Sequence, residues 1–359
     1  VADMELKIAP EITEGMKKYI DEAVLGYSGT YPKYYEAVIG WMERRYGFKV
    51  EKDWILCTPG VVSAIYVAIK AFAKENEGVI TFTPVYFPFY SSITSNNRKL
   101  VDCGLVESKN ENGEVKYSID FEKFENEIAN NDVKLYIHCS PHNPVGRVWT
   151  LEEQKRVFEI CEKHNVLVLS DEIHQDFTYD KNKQISALSL ENGKYNSRLI
   201  VANSGSKTFN LASLVHATLL IPDSKIREQF DKYSKKNLGA EPSLLGQIAL
   251  EAGYREGDNW LNGLKETVIF NYNLLHDTLA QKVPEIIVYP LEGTYLAFVN
   301  IEKVLNGKTT KQFIQDECGL AIDFGHWFGE GYNNYIRINL ATSPDNMKEA
   351  VSRIVENCK

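Results

Sequence analysis

Short apolar runs alternate with longer amphipathic segments between Tyr34 and Leu220 of this chain. The runs have the length of β-strands, and the segments between them repeat apolar residues at helical spacing. The predicted strands are Trp54–Cys57, Val79–Phe82, Lys99–Asp102, Leu135–Cys139, Val166–Ser170, Leu199–Asn203 and Ala217–Ile221. The predicted helices are Tyr34–Tyr46, Val62–Lys74, Phe121–Ala129 and Leu151–His164. Strands joined by crossover helices form parallel sheets, so the pattern predicts an α/β domain with a mostly parallel seven-stranded sheet.

The pattern changes after Gly257, where a long helical segment, Trp260–Gln281, begins. The shorter elements predicted beyond it are strands at Ile286–Tyr289, Tyr295–Asn300 and Tyr335–Asn339, a helix at Lys311–Cys318 and a closing helix. This mixture predicts a smaller α+β domain carried on a connecting helix. We expect the opening residues to pack with it, because they lack a sheet partner of their own. The predicted large domain is therefore 29–257, and the predicted small domain is 1–28 with 258–359.

Composition narrows the class of protein. Hydrophobic residues make up 44% of the 359 positions and charged residues 25%, as in soluble globular proteins of more than one core. A formal charge of −9 argues against nucleic acid as a partner. No stretch is apolar and long enough to predict a membrane span or a leader, although the sequence leaves open whether residues precede Val1.

The six cysteines form no CxxC pair and show no metal-like spacing with histidine. Several lie in or beside apolar runs, where a free thiol behaves as a small hydrophobe. We therefore expect a reducing, cytoplasmic environment. A basic cluster, Lys232 with Lys235 and Lys236, is expected to be a solvated helix face.

The segment Ser204–Ser213 carries the strongest chemical signal. Lys207 lies there among small and hydroxyl residues, directly after the apolar run Leu199–Ala202. A lysine at a buried strand-to-turn corner favours the neutral amine and so becomes a nucleophile. Such a lysine forms Schiff bases with carbonyls, including the aldehyde of pyridoxal phosphate (PLP). An ordinary lysine in a Ser/Gly loop is the alternative, and the segment alone does not decide between them.

Three further loops follow predicted strands. Gly60, in Thr58–Val62, opens a helix whose free N–H groups suit phosphate, although a plain turn is the better explanation of this motif taken alone. Tyr86, in a loop stiffened by prolines, is held either to stack on a planar cofactor or to fill the core. Asn143 also lies in a proline-rich loop, where it directs its amide at a ligand or caps its own backbone.

Two charged residues add to this set. Asp171 ends a strongly apolar strand, so its carboxylate needs a cationic partner such as a protonated pyridine nitrogen. The neighbouring Glu172, His174 and Asp176 lack the spacing of a metal site, and no metal is predicted. Arg337 lies inside a predicted strand, where its planar fork suits a substrate carboxylate, with an interdomain salt bridge as the alternative.

The order of these signals resembles the fold-type-I PLP enzymes of the aspartate aminotransferase superfamily, and the resemblance spans nearly the whole chain. The segments most similar to the MalY/PatB branch of cystathionine β-lyases and C–S lyases are Val1–Met4, Thr83–Tyr86, Ser140–Pro144, Asp171–His174 and Ser206–Ala212. Two positions depart from the wider superfamily. Val215 stands where many aminotransferases have a phosphate-binding arginine, and His174 stands where they commonly have tyrosine. The histidine fits the lyase branch.

The resemblance implies roles for individual residues. Lys207 would hold PLP through a Schiff base, Asp171 would pair with the pyridine nitrogen, and Asn143 with the ring hydroxyl. Tyr86 would stack on the ring and, with Lys207 and Asp171, belongs to the expected catalytic set. The remaining expected cofactor contacts are Gly60, Val61, Val62, His174 and Ser204.

The resemblance also implies how the substrate and a second subunit take part. Arg337 would bind the α-carboxylate of a small amino-acid substrate, assisted by backbone near Ala2. Tyr27 matches a tyrosine that members lend to the neighbouring subunit's phosphate and substrate, so the active unit would be a homodimer. Trp327 and Phe328 are expected either to line the entrance or to pack between the domains.

The implied activity is PLP-dependent α,β-elimination from cystathionine or a related cysteine S-conjugate, giving pyruvate, ammonia and a thiol. A PLP-dependent aminotransferase is the alternative, because it shares every cofactor contact. A regulatory binding protein of the same fold is a third hypothesis, which an intact set of Lys207, Asp171 and Arg337 disfavours.

Overall fold

The computed structural model describes residues 2–22, 24–27, 29–109, 113–239 and 241–358. In chain order its strands are β1 (Ile55–Thr58), β2 (Gly78–Thr83), β3 (Lys99–Gly104), β4 (Val106–Lys109), β5 (Val115–Ser118), β6 (Val133–Cys139), β7 (Leu167–Asp171), β8 (Leu199–Asn203), β9 (Ala217–Leu220), β10 (Ile287–Val288), β11 (Leu296–Asn300), β12 (Asp323–Phe324) and β13 (Tyr335–Asn339). Its α-helices are α1 (Pro10–Glu22), α2 (Pro32–Tyr46), α3 (Val61–Phe72), α4 (Pro88–Thr94), α5 (Phe121–Asn130), α6 (Leu151–Lys163), α7 (Gly205–Thr208), α8 (Ser224–Asn237), α9 (Leu244–Glu256), α10 (Asp258–Lys282) and α11 (Pro344–Asn357).

The predicted strands of the large domain form a seven-stranded sheet in the order β1-β9-β8-β7-β6-β2-β3. Strands β8, β7, β6, β2 and β3 pair in parallel, whereas β9 is antiparallel to both of its neighbours. The mostly parallel α/β sheet predicted from the sequence is therefore confirmed. Because every strand except β9 runs the same way, the carboxyl ends of six strands meet at one edge, where ligands bind in open α/β sheets.

Helix α3 covers one face of the large sheet. It is apolar on nearly every side, and Ala64, Ile65, Ala68 and Ile69 are fully buried against the central strands. A helix without a polar stripe belongs inside a protein. Its burial fixes the helix start, at Gly60, beside the carboxyl edge of the sheet.

A second, four-stranded antiparallel sheet, in the order β10-β11-β13-β12, lies after the long helix α10. Helix α11 packs on α10. The predicted small α+β unit on a connecting helix is present, although the segment predicted as a helix at Lys311–Cys318 is a π-helical segment over Gln312–Glu317.

The opening segment contacts both parts of the molecule. The Glu5 N–H donates to the carbonyl of Ala341 beside the small sheet, whereas α1 packs on α9. The predicted domain boundaries stay a prediction, and Val1, Ala23 and Ser28 of that segment lie outside the described residues.

Candidate functional site

A cavity of about 430 Å³ lies at the carboxyl edge of the large sheet, where the small sheet and the opening segment approach it. It is lined by Ala2, Asp3, Pro59, Gly60, Val61, Val62, Ser63, Tyr86, Phe87, Cys139, Asn143, Asp171, Ile173, His174, Ser206, Lys207, Ala212, Asp323, Trp327 and Arg337. Ten of the twelve predicted site residues are therefore brought together. Tyr27 and Ser204 are the two that do not line the cavity.

Strand order explains how distant positions in the sequence meet. Asp171 is the last residue of β7, Asn143 follows β6, and Lys207 lies on the short helix α7 after β8. These three strands are adjacent and parallel. Since each ends at the same edge, the amide, carboxylate and amine converge there, as the sequence predicted.

Packing behind Lys207 holds its helix in place. Phe209 is fully buried and lies against α9 at two glycines. A Cβ atom on Gly253 or Gly257 would come within 2.7 or 2.6 Å of the Phe209 ring, so only glycine permits this approach. Thr208 donates a hydrogen bond to the buried Asp176 at 2.7 Å. The turn that carries Lys207 is thus anchored on both sides of the lysine.

Asp171 is buried and has few partners for a carboxylate. Its one hydrogen-bond donor among the described residues is the backbone N–H of Ile173, at 3.1 Å from Oδ1. Burial raises the pKa of Asp171 to about 7, and the Ile173 N–H and the charge of Lys207 offset only part of that rise. A buried carboxylate facing a cavity in this way is stabilised by a cationic ligand.

Lys207 faces the same space. Its Nζ donates to the carbonyl oxygen of Ala2 at 3.3 Å, and that oxygen also accepts a hydrogen bond from the hydroxyl of Tyr295 at 2.6 Å. Burial lowers the pKa of Lys207, and Asp3 partly opposes that change. The lowered pKa increases the fraction of neutral amine, which is the nucleophilic form predicted from the sequence.

Two rings border these charges. His174 is buried edge-on against Tyr295, with ring centroids 5.5 Å apart, and its Nδ1 has no hydrogen-bond partner among the described residues. Burial holds the pKa of His174 well below its ordinary value, so the imidazole is neutral. Tyr86 is partly buried and packs edge-on to Phe89 at 6.2 Å, which leaves its ring toward the cavity.

The start of α3 provides free backbone donors at the other end of the cavity. Gly60 is the N-cap, and Val61, Val62 and Ser63 supply N–H groups that the helix itself does not use. Together with the positive end of a twelve-residue helix, they suit a phosphate. The predicted phosphate corner therefore opens into the cavity.

Ser204, which was predicted to bind the phosphate at this corner, does not line the cavity. The Ser204 hydroxyl donates to the carbonyl of His216 at 2.7 Å and accepts from the N–H of Ser206 at 3.1 Å. Ser206 lines the cavity instead. Val215, which replaces the arginine of many aminotransferases, is half exposed and lies outside the lining residues.

Arg337 lies on β13 of the small sheet, and its guanidinium is already engaged. Its Nε donates to Asp323 Oδ2 at 3.1 Å, Nη2 binds the same oxygen, and Nη1 donates to Asn143 Oδ1 at 2.8 Å. Asp323 is the cross-strand neighbour of Arg337 on β12. The ion pair therefore lies within the small sheet and is not the interdomain salt bridge considered as the alternative, whereas a neutral hydrogen bond to Asn143 reaches the large sheet.

Two predictions about the entrance are resolved differently. Trp327 lines the cavity and is 40% exposed, with Phe87 edge-on to it at 6.5 Å. Phe328 is fully buried beneath Arg337, whose Cζ lies 4.7 Å from the ring centroid. Trp327 therefore borders the mouth, whereas Phe328 packs. Tyr27 is fully exposed and lies outside the cavity.

Sequence reasoning missed four lining residues that matter chemically: Asp3, Phe87, Ser206 and Asp323. Phe87 and Ser206 lie next to predicted residues, and that adjacency is a signal that was overlooked. Asp3 also lies next to a predicted residue, Ala2, whereas Asp323 reaches the cavity through tertiary contacts, and no local pattern marks it.

The lining residues fit PLP. A buried carboxylate short of partners, a lysine with a lowered pKa and a neutral histidine lie at one side, and free backbone N–H groups lie at the other. The carboxylate, the lysine and the backbone N–H groups complement a pyridine nitrogen, an aldehyde and a phosphate, respectively. Within the described ranges, no group of three or more His, Cys, Asp or Glu side chains is arranged to hold a metal ion.

Comparison with known proteins gives an independent result. A family model for class I and II aminotransferases matches residues 4–354. The chain is 31% identical to the cystathionine β-lyase PatB of Bacillus subtilis (strain 168), over 99% of this chain and 90% of PatB. It is 27% identical to the protein MalY of Escherichia coli (strain K12), over the same shares of the two chains.

Solved structures agree. Cystalysin from Treponema denticola, whose crystal structure contains PLP, matches with a TM-score of 0.94 at 34% identity, covering 99% of this chain and 89% of cystalysin. The PLP-bound C–S lyase of Staphylococcus hominis matches with a TM-score of 0.92 at 26% identity, covering 99% and 90%. The chain therefore belongs to the class I and II aminotransferase family, in the branch that contains the cystathionine β-lyase PatB.

Proposed function

We propose that this protein is a PLP-dependent C–S β-lyase that cleaves cystathionine or a related cysteine S-conjugate to pyruvate, ammonia and a thiol. The observation that carries the proposal is the convergence of Lys207, Asp171 and Arg337 on one cavity. The likeness to PatB and cystalysin over nearly the whole chain supports the choice of a lyase.

When bound, PLP supplies an aldehyde that condenses with amines and a protonated ring that withdraws electrons from the substrate Cα. Asp171 would pair with the ring nitrogen and hold its proton. Asn143 and Tyr86 would orient the ring, and the N–H groups of Val61 and Val62 would bind the phosphate. His174, neutral and buried, adds no charge beside the ring.

Lys207 has two tasks in this proposal. It anchors the cofactor before the substrate enters, and afterwards its free amine takes the proton from the substrate Cα. A pKa lowered by burial favours both tasks, because only the neutral amine is a nucleophile or a base. The Ala2 carbonyl, 3.3 Å from Nζ, fixes the direction of the amine.

Arg337 would bind the substrate α-carboxylate with the N–H groups that Asp323 and Asn143 leave available. Cleavage of the Cβ–S bond then releases a thiol, and the remaining three-carbon fragment hydrolyses to pyruvate and ammonia. The atoms balance with one water consumed for each substrate cleaved.

We further propose a homodimer in which Tyr27 enters the neighbouring subunit's cavity. Tyr27 is fully exposed, and Val24 and Leu25 beside it are also largely exposed, so this segment presents apolar surface that the described residues of its own chain leave uncovered. The half-exposed Val215 leaves the phosphate corner without an arginine. A tyrosine from a second subunit would add a donor there.

A cytoplasmic location is proposed as well, and the six free cysteines support it. None of the helices within the described ranges has the length and apolarity that crossing a bilayer requires.

The test of the activity is a pair of assays on the purified holoenzyme. With L-cystathionine, lactate dehydrogenase should report pyruvate and a thiol reagent should report an equal amount of homocysteine. In parallel, the cofactor spectrum is followed with L-alanine and with 2-oxo acids. Stable conversion to the pyridoxamine form, with no pyruvate from any β-thio amino acid, would replace the lyase by an aminotransferase.

A further inference from the structure

The cavity is lined by carboxylates beyond the one assigned to the cofactor. Asp3 and Asp323, here called the outer carboxylates, line the cavity in addition to Asp171. The cations among the described lining residues are Lys207 and Arg337. Asp171 and Lys207 are assigned to the cofactor, so Arg337 is the cation left for the substrate.

Arg337 can bind one carboxylate of a substrate in addition to Asp323, but not two. Asp323 binds Nε and Nη2, and Asn143 accepts from Nη1 at 2.8 Å. A guanidinium has five N–H donors, so the two that remain suit one further carboxylate. Once the α-carboxylate of a substrate takes them, no described lining cation remains for a second carboxylate on the side chain.

The outer carboxylates act on the space next to the aromatic wall. Burial is the largest cause that raises the pKa of Tyr86. Asp171, Asp3 and Asp323 raise this pKa further, whereas Arg337 lowers it. Their fields therefore reach the Tyr86 ring. At low effective dielectric a like charge placed in this space is repelled more strongly than in water.

Asp323 keeps its charge in this environment. Burial is the largest influence and disfavours its carboxylate, but the charge and the hydrogen bond of the adjacent Arg337 contribute to an opposing effect that leaves the pKa of Asp323 below its ordinary value. Asp3 is an exposed residue at the cavity wall. Its backbone carbonyl accepts a hydrogen bond from the Asn339 side chain, which holds this part of the opening segment against the small sheet. Asp323 is thus a fixed negative charge, and Asp3 places a second carboxylate at the cavity wall.

We propose that Asp3 and Asp323 are specificity-determining residues that select substrates by charge. The cavity admits β-thio amino acids whose sulfur substituent is neutral, zwitterionic or cationic, and it disfavours those that carry a net negative substituent. Dicarboxylic amino acids are disfavoured for the same reason. This inference rests on the proposed function, since it concerns the side chain of that function's substrate.

The test compares two substrates of the same shape. S-(Carbamoylmethyl)-L-cysteine and S-(carboxymethyl)-L-cysteine differ only in an amide in place of a carboxylate. For the holoenzyme, kcat/KM for pyruvate formation should be ~10-fold or more higher for the amide. D323N and D3N should each reduce that ratio several-fold. The matched control is D345N, which removes an exposed carboxylate of α11 with the same change in net charge and should leave the ratio unaltered.

A second pair of ligands tests charge selection without cleavage of a carbon–sulfur bond. Calorimetric dissociation constants of L-asparagine and L-aspartate on the holoenzyme should favour asparagine by ~10-fold, again less in D323N and D3N. Equal values within each pair in the wild-type protein overturn the proposal. Variants that weaken both members equally overturn the assignment to Asp3 and Asp323. Absence of pyruvate from both cysteine derivatives overturns the lyase function alone, because the second pair still measures charge selection.

Discussion

The two walls of the cavity differ in whether their charged groups already have partners. In the sheet-edge wall, formed at the ends of β7 and β8, Asp171 has one backbone donor and the Lys207 amine contacts one backbone carbonyl. In the small-sheet wall, Arg337 has two oxygens of the protein on its guanidinium, from Asp323 and Asn143. Asp171 and Arg337 are both buried.

The difference separates two kinds of binding. Buried charge without a protein partner raises the free energy of the protein until a ligand of opposite charge binds, so the sheet-edge wall indicates a resident cofactor. A paired guanidinium is stable on its own and shares its remaining donors, as suits a substrate that enters and leaves at each turnover. The predictions below test this contrast.

Replacing Lys207 with alanine should have the largest effect. It removes the anchor of the cofactor and the base for the Cα proton, so kcat for pyruvate formation should fall by at least ~10³-fold. Borohydride reduction followed by intact-mass analysis should find the cofactor adduct on wild-type protein and none on K207A. The matched control is K235A, an exposed lysine of α8, and a wild-type rate in K207A would refute the role assigned to Lys207.

Asp171 should show the cost of an unpartnered charge in the cofactor-free protein. Its pKa rises from 3.8 to about 7 on folding, so its contribution to stability is present at low pH and lost as pH increases through that interval. D171N removes a cost of up to about 4 kcal/mol at pH 8 and almost none at pH 4. Thermal unfolding of cofactor-free D171N and wild type across that range measures it.

The comparison for this prediction is E172Q. Burial also raises the pKa of Glu172 to about 7, but its Oε1 accepts hydrogen bonds from Ser170 and from the Ala187 N–H, so E172Q should stabilise the protein at pH 8 less than D171N does. With PLP bound, the sign for D171N should reverse, since the carboxylate then has a cationic partner. A D171N protein no more stable than wild type at pH 8 without cofactor would contradict the account of this wall.

The two walls also differ in how completely the sequence alone predicted them. The sheet-edge wall was predicted residue by residue, because each group directly follows an apolar strand and parallel strands share an edge. Arg337 was predicted from its place in a strand. Its partner Asp323 was not, since the pair depends on the register of β12 against β13.

Local sequence also failed where packing decides the structure. Helix α9 was not predicted, because its two glycines, Gly246 and Gly253, lower its helix propensity. Gly253 is required by the Phe209 ring rather than by the helix, so tertiary packing outweighs propensity there. Helix α8 was expected only as the solvated helix face of Lys232, Lys235 and Lys236, which lie on it. Its bounds were not predicted, because Phe230 is its one buried residue and little apolar period marks them.

Arg337 should show a smaller, selective effect. R337K keeps the charge but loses the fork that Asp323 orients, so KM should rise by ~10²-fold while kcat changes little. R353K, an exposed arginine paired with Glu349 on α11, is the matched control. A fall in kcat without a change in KM would place Arg337 in the chemical step instead of in substrate binding.

Replacing Tyr27 should have the smallest effect. It should leave the stability of the folded chain unchanged but weaken the binding of PLP. Its side chain is fully exposed, so Y27F should leave the midpoint of thermal unfolding of the cofactor-free protein unchanged. If the hydroxyl binds phosphate in the neighbouring subunit, the dissociation constant of PLP should rise by ~10-fold in an absorbance titration. Y19F, on α1 of the same segment, is the control. Sedimentation analysis fixes the oligomeric state in each case, and unchanged PLP affinity in a dimeric Y27F would show that the phosphate is bound without this tyrosine.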